Sequence, residues 1–317
     1  MDDSTKELAG DVQNCFKQRF LKGVQVMQGF IFRKDYKENE VLRKSLSGLA
    51  ASSFGISFEQ WYQEGFWNER YIPFSYIEDE QVIANVSVNV LDLIMDGQQK
   101  KAIQIGTVMT HPDYRHKGLS ASLMNRVVEE YANQVDFMYL FANDTVLDFY
   151  PRFGFIPAQE QLFSIDCTSG STDSAGIRKL NGTQPDDLNF IRTFAAQRLP
   201  VSRRFGTDGT LGLLMFYCLN VFSDDLYYLE NEDVIAICKQ EGKELNIFDI
   251  VFTKAIDIQA VLAKLASSET EKIVFHFTPD YIGIEAESTP YPGGLFVRTC
   301  GNSSFPAHMK HPATSIA

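Results

Sequence analysis

Residues 107–124 read TVMTHPDYRHKGLSASLM. The first four are β-branched or apolar, His111-Pro112 breaks the run, and Arg115, His116 and Lys117 crowd against Gly118 before Leu119, Leu123 and Met124 recur at helical spacing. This pattern predicts a strand that passes into a helix with three basic side chains at the helix mouth. The first-turn N–H groups of a helix have no intrahelical acceptor, and together with the helix dipole they attract anions. Glycine at 118 lets a phosphate approach the backbone, and Ser120 is small enough not to obstruct it. The stretch therefore predicts a local pyrophosphate site.

Upstream, residues 71–110 carry Val/Ile-rich runs separated by Glu78-Asp79-Glu80 and by Asp96-Gly97, which predicts three consecutive antiparallel strands joined by tight turns. Amphipathic helices are predicted over 40–53 and 58–67. The aromatics of the second region (Trp61, Tyr62, Phe66, Trp67, Tyr71, Phe74) suit a core between helix and sheet, or a wall beside a pocket. Downstream, Leu119, Leu123, Met124, Val127, Val128 and Tyr131 share one helix face, and DFMYLFAND at 136–144 reads as a buried strand. A short helix, TVLDFYPRF, and one or two returning strands in GFIPAQEQLFSID complete a unit of α+β class.

The chain of 317 residues exceeds one ordinary core, which favours two domains. The boundary is predicted at TSGSTDSAG, residues 168–176, between units at 1–167 and 177–317. The second unit repeats the order of the first: strands over 226–252, a helix in DIQAVLAKLA and a strand in KIVFHFTP. A balance of 29 basic against 41 acidic residues gives a net charge of −12, which argues against nucleic acid or an anionic membrane as partner. No apolar run is long enough to span a bilayer, and the first residues lack the basic-then-apolar order of a secretory signal. Cys15, Cys167, Cys218, Cys238 and Cys300 are too scattered to predict a metal site, and they fit free thiols in a reducing cytoplasm.

The segment VMTHPDYRHKGLSASLM resembles the acetyl-CoA signature of the GNAT superfamily of N-acetyltransferases through Val108, Pro112, Tyr114, Arg115, Gly118 and the apolar helix face. A second segment, LFANDTVLDFYPRFGF, resembles the family's later signature through Asn143, Tyr150, Gly154 and Phe155. The resemblance covers residues 25–165, with Ser120 standing where the family usually has glycine or alanine. It implies a GNAT fold followed by a degenerate GNAT-like unit that lacks the basic glycine loop and binds no acetyl-CoA. The tandem arrangement is similar to the bacterial enhanced-intracellular-survival type acetyltransferases, which use the terminal carboxylate in the active site.

The same resemblance implies transfer of an acetyl group from acetyl-CoA to a primary amine on a small molecule, a lysine or an N-terminus, by a monomer or small homo-oligomer. Backbone groups of Val108, Met109 and Thr110 would hold the pantetheine arm. Arg115, His116, Lys117, Gly118, Leu119 and Ser120 would hold the pyrophosphate, with Asn143 also at the cofactor. The N–H near Val108 would polarise the thioester carbonyl, and Tyr150 would protonate the departing thiolate, with Arg152 as a tuning charge. An alkylammonium must lose a proton before attack, and Glu78, Asp79, His111 and the Ala317 carboxylate all stand open as the base. A non-catalytic acyl-CoA sensor would keep the phosphate loop without needing Tyr150. A purely structural protein would keep neither.

Overall fold

In the computed structural model, residues 29–167 and 175–317 are described. Cys15, the first residues read for a signal, positions 25–28 of the family-like region and 168–174 of the linker lie outside them. Strand β1 (Ile31–Lys34) precedes helix α1 (Glu40–Phe54), which Asn39 caps by accepting from Leu42 N at 3.1 Å and Gly55 ends at φ +71°. Helix α2 (Glu59–Gln63) is shorter than the periodicity of 58–67 predicts. Gly65 at φ +76° turns the chain, and Phe66 N reaches back to Trp61 O. The aromatics of this region are core: Trp61, Phe66, Trp67, Tyr71 and Phe74 are all buried.

The three predicted strands are β2 (Tyr71–Glu78), β3 (Gln81–Met95) and β4 (Gln98–Thr110), joined antiparallel through Asp79-Glu80 and Asp96-Gly97. All four turn residues have positive φ, the conformation of the hairpin turns whose twist matches that of the strands. Helix α3 (Leu119–Tyr131) lays Leu119, Leu123, Met124 and Val127 on Val86, Val88, Ile103 and Ile105, and its own β5 (Phe137–Phe141) returns parallel to β4. The predicted short helix is two 3-10 turns, Asp144–Val146 and Tyr150–Phe153.

Beyond this point the chain order and the sheet order part. Strand β6 (Ile156–Pro157) stays in the first sheet, but β7 (Glu160–Asp166) pairs in a second sheet with β13 (Lys272–Phe275) and β14 (Glu287–Tyr291). That sheet runs β14-β7-β13-β12-β11-β10-β8, where β8 is Ile177–Leu180, β10 Leu226–Leu229, β11 Val234–Glu241 and β12 Glu244–Val251. Two segments of the second half return to the first sheet: β9 (Phe205–Asp208) pairs with β3, and β15 (Leu295–Thr299) lies between β5 and β6. Strands β7, β9 and β15 thus each pair with strands on the other side of residues 168–176, because strand pairing ignores the composition break used to set that boundary. Helices α4 (Pro185–Ala195), α5 (Leu211–Asn220) and α6 (Ile258–Leu265) belong to the second half. Trp61 Nε1 donates to Gly212 O of α5 at 2.7 Å and ties the aromatic cluster to that half. No described helix is long and apolar enough to cross a membrane.

The crossing from β14 to β15 goes through Gly293-Gly294, beside the fully buried Glu160. A Cβ at Gly293 would overlap Glu160 Oε2, and one at Gly294 would overlap Ala142 O. Glu160 cannot yield, since its Oε1 accepts from Lys310 Nζ at 3.0 Å and from His311 N at 2.9 Å. Gly293→Ala should therefore destabilise the protein by about 3 kcal/mol, the upper part of the usual overpacking range, as read from a denaturant midpoint; an unchanged midpoint would contradict this crossing.

Candidate functional site

The site is built where β4 stops pairing with β5. The parallel ladder runs from Ala102↔Phe137 to Ile105↔Leu140 and ends there. On the other edge of β4, Ser87 faces Gly106 and Asn85 faces Met109, so two residues of β4, Thr107 and Val108, stand opposite one residue of β3. This is a β-bulge, and Thr107 takes φ +42° within it, a conformation that a β-branched residue adopts only when its surroundings impose it.

A buried polar chain does the imposing. Asn85 Nδ2 donates to Thr107 O and to Ser87 Oγ, both at 2.9 Å, while its Oδ1 accepts from Ser75 Oγ at 2.8 Å. Ser75 in turn meets the Tyr36 hydroxyl at 2.6 Å, and Ser87 Oγ donates to the Tyr71 hydroxyl at 2.7 Å. Asn85, Ser75 and Ser87 are completely buried. Burial drives the Tyr71 phenol up to about 12, so it remains a neutral hydrogen-bonding group. Of these residues the sequence pointed only to Tyr71, as core or as a wall beside a pocket. Gly106 did carry a signal, since an isolated glycine inside a strand pattern marks a bulge or a close approach.

Past the bulge, β4 passes through the 3-10 turn Pro112–Tyr114 into Arg115–Gly118. His116 (φ +62°) and Gly118 (φ +76°) are left-handed and Lys117 lies between them, while no side chain caps the N-terminus of α3. Its first turn contains no acidic residue. Arg115, His116, Lys117 and Gly118 are exposed, and Thr110 Oγ1 and Ser120 Oγ, 2.6 Å apart, tie the strand end to the first helical turn. Backbone donors with adjacent cations and no competing carboxylate make a cradle that suits a phosphate. Ser120 closes the loop instead of crowding it.

The remaining predicted residues fall into three groups. Met109 and Leu119 are buried, so only their backbones face the site, and Val108 is half-buried. Asn143 is exposed and uses its side chain to accept from Thr145 N, opening the turn toward Tyr150. Tyr150 is buried against Phe149 and Phe296, and its hydroxyl has no hydrogen-bond partner among the described residues. Burial alone pushes its phenol up to about 12, and Arg152 is exposed and supplies no offsetting charge.

The four candidate bases separate. Glu78 accepts from the Tyr114 hydroxyl, Asp79 is in the exposed β2–β3 turn, and His111 Nδ1 faces Asp113; all three lie beyond Thr110, at the end of β4 that leads into the basic loop. Ala317 lies at the other end. A Cβ on Gly106 would stand 3.0 Å from its main-chain carbon and 3.2 Å from its oxygen. Gln104 Nε2 donates to Ser315 O at 3.1 Å, and Ser315 Oγ meets Thr207 Oγ1 at 2.9 Å, so the tail follows one face of β4 to the bulge.

Residues 44–158 match the family described as Acetyltransferase (GNAT) domain. The chain carries a GNAT acetyltransferase domain. The chain is an acyl-transferring enzyme, and the bulge and basic loop both lie within the matched residues. No curated protein sequence matches the chain. Among solved structures, it is similar to a probable N-acyltransferase of Enterococcus faecalis, at 16% identity over 86% of this chain and 72% of the other, with a TM-score of 0.56. Eis1 from Mycobacterium abscessus aligns at 15% identity over 86% and 73% with a TM-score of 0.54. A GCN5-related N-acetyltransferase from Anabaena variabilis aligns at 15% over the same shares with a TM-score of 0.51. At these identities the likeness establishes the fold.

Because one amide holds the bulge of this GNAT domain, Asn85→Ala should leave Thr107 O and two serine hydroxyls short of partners. A loss of about 2–4 kcal/mol is expected in denaturant unfolding, and a loss below about 1 kcal/mol would contradict the role given to Asn85.

Proposed function

We propose that this protein transfers an acetyl group from acetyl-CoA directly to a primary amine. The observation that carries the reading is the alignment of two features on one strand: an edge freed at Gly106–Thr110 by the bulge, and a basic, uncapped helix N-terminus immediately after it. An extended amide-bearing arm can add to a free strand edge, with its phosphate end on the N–H groups of residues 115–120. Acetyl-CoA supplies the thioester. The Val108 N–H polarises its carbonyl, and Arg115 and Lys117 add charge at the phosphates.

Tyr150 remains protonated throughout the neutral range, since its phenol lies at about 12. Complete proton transfer to a thiolate whose thiol has a pKa near 8.5 is uphill, so Tyr150 acts as a hydrogen-bond donor that moves its proton in concert with C–S cleavage. On the acceptor side, an alkylammonium with a pKa of about 10.4 must be deprotonated. Of the four candidate bases, Ala317 lies beside the bulge, and we assign its main-chain carboxylate to receive that proton, directly or through one water. The acceptor is a small-molecule amine or a protein amine, and the acidic net charge of −12 suits its cationic form.

The same reading extends to the second half as a degenerate GNAT-like unit. Strands β10, β11 and β12, helix α6 and parallel strand β13 repeat the order of the first half, with a bulge in β12 at Phe248. Its helix N-terminus is already filled, because the Asp257 carboxylate accepts from Gln259 N at 3.0 Å and Ala260 N at 3.3 Å. A phosphate has no place there, and we propose one acetyl-CoA site per chain.

Gly118→Asp puts a carboxylate at the phosphate cradle and should abolish acetyl-CoA binding in calorimetry; undiminished affinity would sink the assignment. Tyr150→Phe should preserve that affinity and lower kcat by about ten- to a hundredfold in a thiol-release assay over an amine panel. Equal kcat would remove Tyr150 from the chemistry, and wild-type binding without turnover on any amine would indicate an acyl-CoA sensor. In the wild type, Tyr150 should contribute no alkaline fall in kcat/KM until pH approaches about 12.

A further inference from the structure

The second half contains the same strand opening as the first, and the chain's own tail fills it. In the first sheet, the parallel ladder ends at Ile105↔Leu140 and the bulge follows at Thr107-Val108. In the second, the parallel ladder ends at Ile247↔Phe275, and Phe248 is the extra residue between Ile247 and Asp249. The openings correspond. Beside β13, however, Ala313 N donates to His276 O at 3.0 Å, Lys310 N donates to Thr278 Oγ1 at 2.7 Å, and Thr278 Oγ1 donates to Lys310 O at 3.0 Å. On the β12 side, the Thr314 hydroxyl donates to Asp249, whose carboxylate is fully buried and held by Arg198 at 2.7 and 2.8 Å. Tail residues therefore meet both walls of the opening.

The tail leaves this grip already aimed. His311 Nδ1 donates to Pro312 O at 3.0 Å, which leaves Nε2 to accept from the Tyr139 hydroxyl of β5 at 2.9 Å, and burial holds the ring neutral with a pKa of about 3. One residue after Thr314, Ser315 is bound by Gln104 and Thr207 of the first sheet, and two residues later Ala317 lies on Gly106. We infer that the strand opening of the second half serves as a receptor for residues 310–314, and that Thr314 and Asp249 are positioning residues that set Ala317 at the bulge of the first site. This rests on the acetyl-transfer reading above, and it assigns the second half a role in the reaction: it holds the proton acceptor in place.

Thr314→Val keeps the shape of the side chain and removes the hydroxyl, while Asp249 retains its bidentate Arg198. The full-length variant should show kcat lowered about tenfold to a hundredfold with KM for acetyl-CoA within about twofold of wild type, the signature of a displaced reacting group and not of lost donor binding. Thr314→Ser should restore kcat. Hydrogen exchange followed by mass spectrometry supplies a readout independent of turnover: amides of residues 310–317 should exchange faster in Thr314→Val, with α3 unchanged. An active wild type with equal kcat in Thr314→Val overturns the inference alone, as does unchanged exchange in the tail. A wild type that acetylates no amine overturns the function reading instead, and the exchange comparison still decides whether Thr314 grips the tail.

Discussion

The arrangement depends on a single buried amide. Asn85 is the point at which strands β2, β3 and β4 exchange hydrogen bonds outside the regular ladder, and it fixes Thr107 at a φ that threonine otherwise avoids. The extra residue turns the following strand edge away from β5, and every feature of the site follows from that turn. Residues 106–110 lose their neighbour, so roughly 13 Å of strand edge opens between the tail at Gly106 and the loop that starts after Thr110. A regular β4 would continue to pair with β5, and the basic loop would then end a closed sheet with no approach along the strand.

A second constraint joins the halves. Sequence order would allow the two sheets to be separate bodies, but β7, β9 and β15 each pair across the division, and the tail from Lys310 to Ser315 is buried between the sheets. The buried charges along this path are compensated in place. Lys310 is paired with Glu160 and lies 4.3 Å from the Tyr291 ring centre, and Asp249 is paired with Arg198. Removing one member of such a pair costs more than the pair contributes, which ties the tail to a single path without making it a large source of stability.

Much of the first half was legible because its signals are local. Asp96-Gly97 and the Val/Ile runs specify a hairpin by themselves, and the spacing from Leu119 to Tyr131 specifies a helix with one buried face. The basic loop at the helix mouth was legible for the same reason, being a contiguous run of residues. Asn85 and Gln104 were not, and Tyr71 was legible only as a core or pocket-wall aromatic, because their role arises from which residues face one another across strands, and register leaves no mark at a single position. Strand β15 was missed as well. LFVRT is short and follows Pro-Gly-Gly, and it becomes a strand through the β5 edge on which it docks. The extent of the helix at 58–67 was overestimated because the periodicity of its aromatics continues through Gly65, where the backbone reverses.

The two helix N-termini that follow parallel-paired strands show why net charge is a poor guide to a binding site. Both α3 and α6 present first-turn donors, and the protein treats them in opposite ways. At α6 the Asp257 carboxylate neutralises the donors from within the chain, and the adjacent strand opening is closed by the tail. At α3 no side chain caps the helix, His116 and Gly118 are left-handed, and Arg115 and Lys117 stand beside them. A chain with a charge of −12 can keep a locally basic helix N-terminus by withholding carboxylates from one helical turn, since the field within a few ångströms is set by that turn and more distant charges are screened over about 8–10 Å. The second half thus differs from the first in the two places where an anionic, amide-bearing arm would need room, and the residues that take up the room belong to the chain itself.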